Sequence, residues 1–291
     1  MNNVMGIDII SLFFEVNVDP FIFQTGNFVL SWHGFFSVVA VMISIFLVGK
    51  WAPKNGIDPD DIYSIATWAI LGGIIGARLV HVIDDWSYYL NNPIQILAVW
   101  KGGIAIWGAV LGGLTGGWIY ASIRSLPRAR IADLAAPALA FGMGIGRIGD
   151  IINGEHLAKL TMQPWGIVWS HPSSISFQKW GLNPSHPAVI YEMLLDLAIG
   201  AILIFYFRKR IRPNGMLFPV FLMLYAFFRF FILFFHDYHI IILGLNQPQI
   251  ICVLVLIATI PILFSKARFF PPSNPEPMTG SHISRSKRRR M

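Results

Sequence analysis

A chain of 291 residues with 55% apolar and only 13% charged residues, at a mean hydropathy of +0.60, has too little polar surface for a water-soluble domain of that size and is read as a membrane protein. The formal charge of +7 is concentrated from Lys266 onward, where seven Lys/Arg face one Glu, so it describes a tail and excludes a nucleic-acid-binding face. The single cysteine, Cys252, excludes an internal disulfide, a cysteine metal cluster and a redox pair.

Apolar runs bounded by charge, proline or asparagine fall at about 28–48, 62–83, 102–120, 131–148, 189–207, 216–235 and 249–265. Each suits the roughly 20 residues that cross a hydrocarbon core, so the expected fold is all-α and polytopic with seven transmembrane helices. The first lysine is Lys50, so the amino terminus lacks the basic stretch of a cleavable signal peptide and the first span is expected to act as the insertion signal. Every second boundary is basic: Lys50 and Lys54, then Arg124, Arg128 and Arg130, then Arg208, Lys209, Arg210 and Arg212, then Lys266 and Arg268. The positive-inside rule then puts the amino terminus outside and the carboxyl terminus in the cytoplasm. Residues 1–27, with Phe13, Phe14, Phe21 and Phe23, are expected along the outer headgroup layer. The longest connection, about 150–186, carries Pro164, Trp165, Trp169, Pro172 and Pro184 and is expected to fold as a small outer head between helices 4 and 5. Residues 1–270 are thus expected to form one transmembrane domain. Residues 271–291 are expected to be a disordered basic cytoplasmic tail held near anionic lipid.

Polar residues inside spans are the informative ones, because an unpaired charge in hydrocarbon costs roughly 3 kcal/mol or more. Arg78, Arg147 and Arg229 all approach the outer half of the bilayer under this topology. Each could simply pair with a carboxylate such as Asp150, Glu155 or Glu192. Convergence of several guanidinium groups at one depth instead suits an anionic lipid headgroup, which a guanidinium grips with two parallel hydrogen bonds. Gly108, Gly112 and Gly116, and Gly72 and Gly76, recur every fourth residue and are expected to let helices pack closely. Gly142, Gly144, Gly146 and Gly149 are dense enough to suggest a bend that bares backbone N–H groups beside Arg147. Asn153, Gly154, Glu155 and His156 follow, and Ser185-His186-Pro187 leads into a helix bearing Tyr191 and Glu192. His33 lies near the outer end of the first span. The histidines are scattered without HExxH spacing, so no zinc-protease site and no metal are expected.

The segment Gly144 to Glu155, GxGRxGDxxNGE, resembles the signature of prolipoprotein diacylglyceryl transferases. Trp32-His33-Gly34, Gly76-Ala77-Arg78, Trp100 to Gly108, His186 to Glu192, Tyr225 to Arg229 and Gln247-Pro248-Gln249 agree with the same family in order along nearly the whole chain. The resemblance implies transfer of the diacylglyceryl group from phosphatidylglycerol to the lipobox cysteine thiol of a prolipoprotein signal peptide, in the bacterial plasma membrane, without cofactor. It implies that Arg147, Arg229 and Tyr225 act on the phosphate, and that Arg78, Gly103, Gly149, Asn153, Glu155, His186, Tyr191 and Glu192 surround the substrates. Where many members carry a histidine two residues before a double glycine, Trp107 precedes Gly108 and Ala109 here. Asp150 stands where asparagine is usual, and His33 where tyrosine is usual. Proton acceptance is therefore expected at His33 or Asp150, with Glu155 or the lipid phosphate as alternatives. The rival functions are an anionic-phospholipid transporter, which the absence of an evident internal repeat disfavours, and an inactive scaffold of the same fold.

Overall fold

The computed structural model describes residues 3–4, 7–8, 13–26, 28–98, 102–103 and 105–270. The tail expected at 271–291, and Trp100, Lys101 and Ile104 of the family-like block, lie outside the described residues. The helices in chain order are α1 (Trp32–Trp51), α2 (Pro59–Asp84), α3 (Trp86–Asn91), α4 (Ile106–Ile123), α5 (Arg128–Asn153), α6 (Ile175–Trp180), α7 (Ala188–Ile202), α8 (Leu217–Ile232) and α9 (Gln247–Lys266). Among the described residues, seven helices are long and apolar enough to cross a membrane: α1, α2, α4, α5, α7 continued to Phe207, α8 continued to Phe235, and α9.

Helix starts follow from local chemistry. The first helix begins four residues later than its apolar run, because Phe28–Ser31 pairs as a strand with Phe21–Thr25 and the Ser31 hydroxyl accepts the Gly34 N–H at 3.1 Å. Asp58 caps α2, with Pro59 in the first turn and Asp60 and Asp61 facing the positive end of the helix dipole. Asn246 and Gln249 cap α9 reciprocally: each side-chain oxygen accepts the other residue's N–H, at 3.0 and 3.1 Å.

Small residues set the helix spacing. α2 lies along α4 with glycine facing glycine, so that a Cβ on Gly112 would sit 2.2 Å from the Gly72 carbonyl oxygen and one on Gly76 would sit 2.3 Å from that of Gly108. The substitution Gly112→Ala must push two backbones apart, and it is expected to cost about 1–3 kcal/mol. Thermal unfolding in detergent checks this against Gly117→Ala, whose Cβ meets Ile65 Cγ2 at 3.4 Å; equal midpoints would contradict the packing. The helix α5 lies at the centre, against α1, α7 and α8, and the buried core between α5, α7 and α8 holds Ala136, Ala140, Ile199, Leu203, Leu217, Val220 and Phe221.

The glycine-rich end of α5 corrects one expectation. The helix continues unbroken through Gly142, Gly144, Gly146 and Gly149, so no bend bares backbone N–H groups beside Arg147. These glycines receive neighbours instead. A Cβ on Gly142 would strike Ser44 and Ala40 of α1, one on Gly144 would strike Leu197 of α7, and one on Gly149 would strike the Trp32 carbonyl at 2.6 Å. Packing on two sides overrides the weak helix propensity of glycine.

Candidate active site

The last turns of α5 place three polar side chains at i, i+3 spacing, Arg147, Asp150 and Asn153, which share one face. The helix stops at Gly154, whose φ of +68° suits glycine, and the Glu155 N–H returns to the Asp150 carbonyl at 3.0 Å. Because Gly149 has no side chain, the start of α1 lies directly on α5. That contact brings His33 Nδ1 to 2.5 Å from Asp150 Oδ1 and 3.3 Å from Glu155 Oε2.

Arg147 joins this pair to two further helices. Its Nη1 donates to Asp150 Oδ2 at 3.0 Å, and its Nη2 lies 2.6 Å from Glu192 Oε2 on α7. The other oxygen of Glu192 lies 3.5 Å from Arg229 Nε on α8 and 3.5 Å from His236 Nε2. Arg229 Nη1 donates to the Tyr225 hydroxyl one turn earlier on α8, and the guanidinium carbon lies 5.3 Å from that ring's centroid. One carboxylate therefore holds two guanidinium groups from separate helices. It meets them as close ion pairs, at 2.6 Å from Arg147 and 3.5 Å from Arg229. The side chains of Glu192 and Arg147 are 3% and 11% exposed, so each charge depends on its partners for stability.

The network has four further members: His156, which follows Glu155 in the segment after Arg147, and Tyr238, His236 and Asp196, which no motif marks. His156 Nε2 lies 3.4 Å from Asp150 Oδ2, and its Nδ1 lies 3.3 Å from the Tyr238 hydroxyl. Burial pushes the Tyr238 hydroxyl above its ordinary value, so it stays protonated and able to donate. His236 is buried, stacked on Tyr238 at 5.0 Å, with Nδ1 3.2 Å from the His156 carbonyl oxygen. Asp196, one turn along α7 from Glu192, is buried with neither oxygen hydrogen-bonded. The available signals were spacing: Asp196 is Glu192 plus four, and His236 is Arg229 plus seven.

Other expected residues lie elsewhere. Arg78 donates from Nε to the Ile96 carbonyl at 2.8 Å, from Nη1 to those of Gly102 and Gly103 at 2.8 and 2.9 Å, and from Nη2 to that of Gln95. Its guanidinium thus fastens the α2–α4 connection and makes no contact with the Arg147 cluster among the described residues. Gly103, at φ +74°, leaves room for that guanidinium and for His81. The Tyr191 hydroxyl accepts from Trp165 Nε1 at 2.8 Å, clasping the 154–187 connection to α7. His186 packs on Phe235 at 4.9 Å, and burial holds its imidazole below the usual value, hence neutral at pH 7. Asn153 Nδ2 donates to Glu155 Oε1 at 2.8 Å, which orients the carboxylate next to His33. Trp107 is 48% exposed on the first turn of α4.

The 154–187 connection is itself ordered. Its strand Ile167–Trp169 pairs in parallel with Phe14–Val16, and Trp169 Nε1 donates to the Ile151 carbonyl at 2.7 Å. Ser174 and Ser176 donate to the carbonyls of Asn153 and Gly154 at 3.1 and 2.7 Å, so the connection grips the end of α5 that carries the site. His33, Asp150 and Glu155 also offer three ligand atoms within 4.8 Å of one another. The Arg147 guanidinium 3.0 Å from Asp150 places a fixed cation where a divalent ion would compete, and the set suits a base and its orienting carboxylate better.

Comparison with known proteins agrees with this architecture. A family model described as prolipoprotein diacylglyceryl transferase matches residues 20–265. Among curated proteins, the chain is similar to phosphatidylglycerol–prolipoprotein diacylglyceryl transferase of Dehalococcoides mccartyi, 32% identical over 257 residues, covering 88% of this chain and 96% of that one. The enzyme of the same name from Geobacter sulfurreducens is 33% identical over 231 residues, covering 76% and 83%. That from Limosilactobacillus reuteri is 34% identical over 217 residues, covering 74% and 79%. With a family model matching residues 20–265 and these similarities across most of its length, in a chain with seven apolar helices among its described residues, the chain belongs to the prolipoprotein diacylglyceryl transferase family.

Proposed function

We propose that the protein transfers the diacylglyceryl group of phosphatidylglycerol to the lipobox cysteine thiol of a prolipoprotein signal peptide, with the Arg147 cluster in the outer half of the plasma membrane and the carboxyl terminus in the cytoplasm. The observation that carries the proposal is the shared carboxylate of Glu192, 2.6 Å from Arg147 and 3.5 Å from Arg229, which holds guanidinium groups of two helices side by side.

The chemistry follows from that point. The substrate thiolate attacks the glycerol carbon that bears the phosphate ester; a C–S bond forms, the C–O bond breaks, and its electron pair leaves on the phosphate oxygen of glycerol phosphate. Negative charge grows on that leaving group, so guanidinium groups already fixed beside it lower the barrier without reorganising. Arg147 grips the phosphate, and Arg229, braced by Tyr225, takes the oxygen that becomes the leaving group. The thiol, with an ordinary pKa near 8.5, must first lose its proton. His33 is suited to take it: Asp150 accepts from Nδ1, which leaves the Nε2 lone pair for the thiol, and the side chain is 45% exposed. Gly149 serves by letting α1 approach, and the 154–187 head lies over the site, where a signal peptide arrives. Arg78 and Gly103 hold the α2–α4 rim of the lipid entry.

Purified protein given labelled phosphatidylglycerol and a lipobox peptide is expected to yield thioether-linked peptide and glycerol phosphate. Lipid crossing the membrane without product would indicate transport instead, and neither outcome would indicate a scaffold.

A further inference from the structure

At the other end of the bundle the same helices line a polar cavity. Counted at 1.5 Å per residue along α5 from Asp133 to Arg147, it lies about 20 Å from the Arg147 cluster. The cavity has a volume of about 590 Å³, and five cations line it: Lys54, Arg130, Arg208, Lys209 and Arg212. The one lining carboxylate is Asp133. Its oxygens already accept the N–H groups of Gly215, Leu217 and Phe218 at 2.6, 2.8 and 3.2 Å, capping the start of α8. None of the five cations forms an ion pair among the described residues.

Two of the cations are held in place. Arg130 Nη1 donates to the Asn55 carbonyl at 3.0 Å, and the Arg208 guanidinium lies 5.5 Å from the Trp51 ring centroid. Arg208 is half-buried and the other four are exposed at the cavity's rim; positive charge gathered in one place favours an anion, since like charges without one repel. The rest of the wall identifies its source. Trp51, Ile204 and Leu217 are apolar, and the π-helical turn Leu203–Phe207 that contributes Ile204 leaves the neighbouring Phe205 78% exposed. A ligand with a phosphate at one end and hydrocarbon at the other meets both walls.

We propose that this cavity binds the phosphate headgroup of an anionic phospholipid from the leaflet at the basic end of the bundle, as a bound lipid separate from the one that reacts. It bridges the α1–α2 connection, α5, the end of α7 and the start of α8, and its binding does not depend on transfer chemistry.

The test counts lipids retained by the full-length protein, by native mass spectrometry after release from phosphatidylcholine nanodiscs containing a minor fraction of phosphatidylglycerol. The variant Arg208→Gln/Arg212→Gln is expected to retain one phosphatidylglycerol fewer, with affinity at the lost site down about tenfold or more. Lys50→Gln/Arg124→Gln, which removes the same charge from the same end but not from the cavity lining, is expected to match the wild type. Arg208→Lys/Arg212→Lys is expected to restore retention, which separates lost charge from a lost fold. Equal retention in all variants, equal loss in both glutamine variants, or no restoration by lysine would overturn the proposal. Inorganic phosphate titrated into protein in phosphatidylcholine alone forms the last arm: binding there that the cavity variant loses, with lipid retention unchanged, would assign the site to free phosphate and also overturn it. Any lipid held at the Arg147 cluster is common to all variants, so failure of the proposed transfer activity leaves this comparison intact.

Discussion

Replacing Arg147 by alanine is expected to lower kcat/KM for phosphatidylglycerol by about a thousandfold, the upper end of what loss of one fixed donor to a developing oxyanion costs. Two effects add in the same direction. The first is chemical: under the proposed mechanism the leaving phosphate loses the α5 guanidinium, which is 11% exposed. The second is structural, because Asp150 and Glu192 lose the cation at 3.0 and 2.6 Å, and breaking a buried pair from one side costs about 3–5 kcal/mol. Arg147→Lys separates them. Lysine keeps the charge and most of the stability but cannot span two oxygens, so it is expected to fold like the wild type and still lose most of its activity. Full activity in either variant, measured as thioether product, would contradict the assignment.

The second large effect is expected at the His33–Asp150 pair. His33→Ala and Asp150→Asn should each lower turnover by about a hundredfold or more, the usual contribution of a positioned general base. The double variant should do little further harm, because the carboxylate works through the imidazole at 2.5 Å. The pH profile distinguishes this from lost packing. Neutral imidazole is the active form, so the wild-type rate falls on the acid side as His33 takes up a proton, and His33→Ala should lose that acid limb along with the rate. Two variants with undiminished turnover would discard His33 and Asp150 as the base and return the role to Glu155 or the lipid phosphate.

What the sequence disclosed divides along physical lines. The seven spans were legible because a hydrocarbon core imposes length and apolarity on each helix regardless of its neighbours. Phe28–Ser31 was misjudged because an apolar run alone does not distinguish the first turn of a helix from a strand; the pairing with Phe21–Thr25 decides it. Gly142 to Gly149 were read as a bend because glycine weakens an isolated helix, whereas here Ala40, Leu197 and Trp32 fill the space against them. Arg78 shows the limit for charge. Its rarity inside a span was visible, but the carbonyls of Gln95, Ile96, Gly102 and Gly103 that satisfy it come from a connection whose path no local pattern reveals. For the same reason no local pattern joins His236 and Asp196 to this cluster, whereas Arg147, Arg229 and Glu192 stand out in the sequence as charges within apolar spans. His33 and Asp150 are 117 positions apart in sequence and in direct contact in space, so neither is intelligible without the other.

The most direct measurement of the central claim is a double-mutant cycle on Arg147→Lys and Arg229→Lys, with kcat/KM for phosphatidylglycerol as the readout. Guanidinium groups on α5 and α8 that serve one phosphate should be coupled by about 0.5–3 kcal/mol. Losses that simply add would mean that Arg147 and Arg229 act at separate places, and the shared site around Glu192 would have to be abandoned.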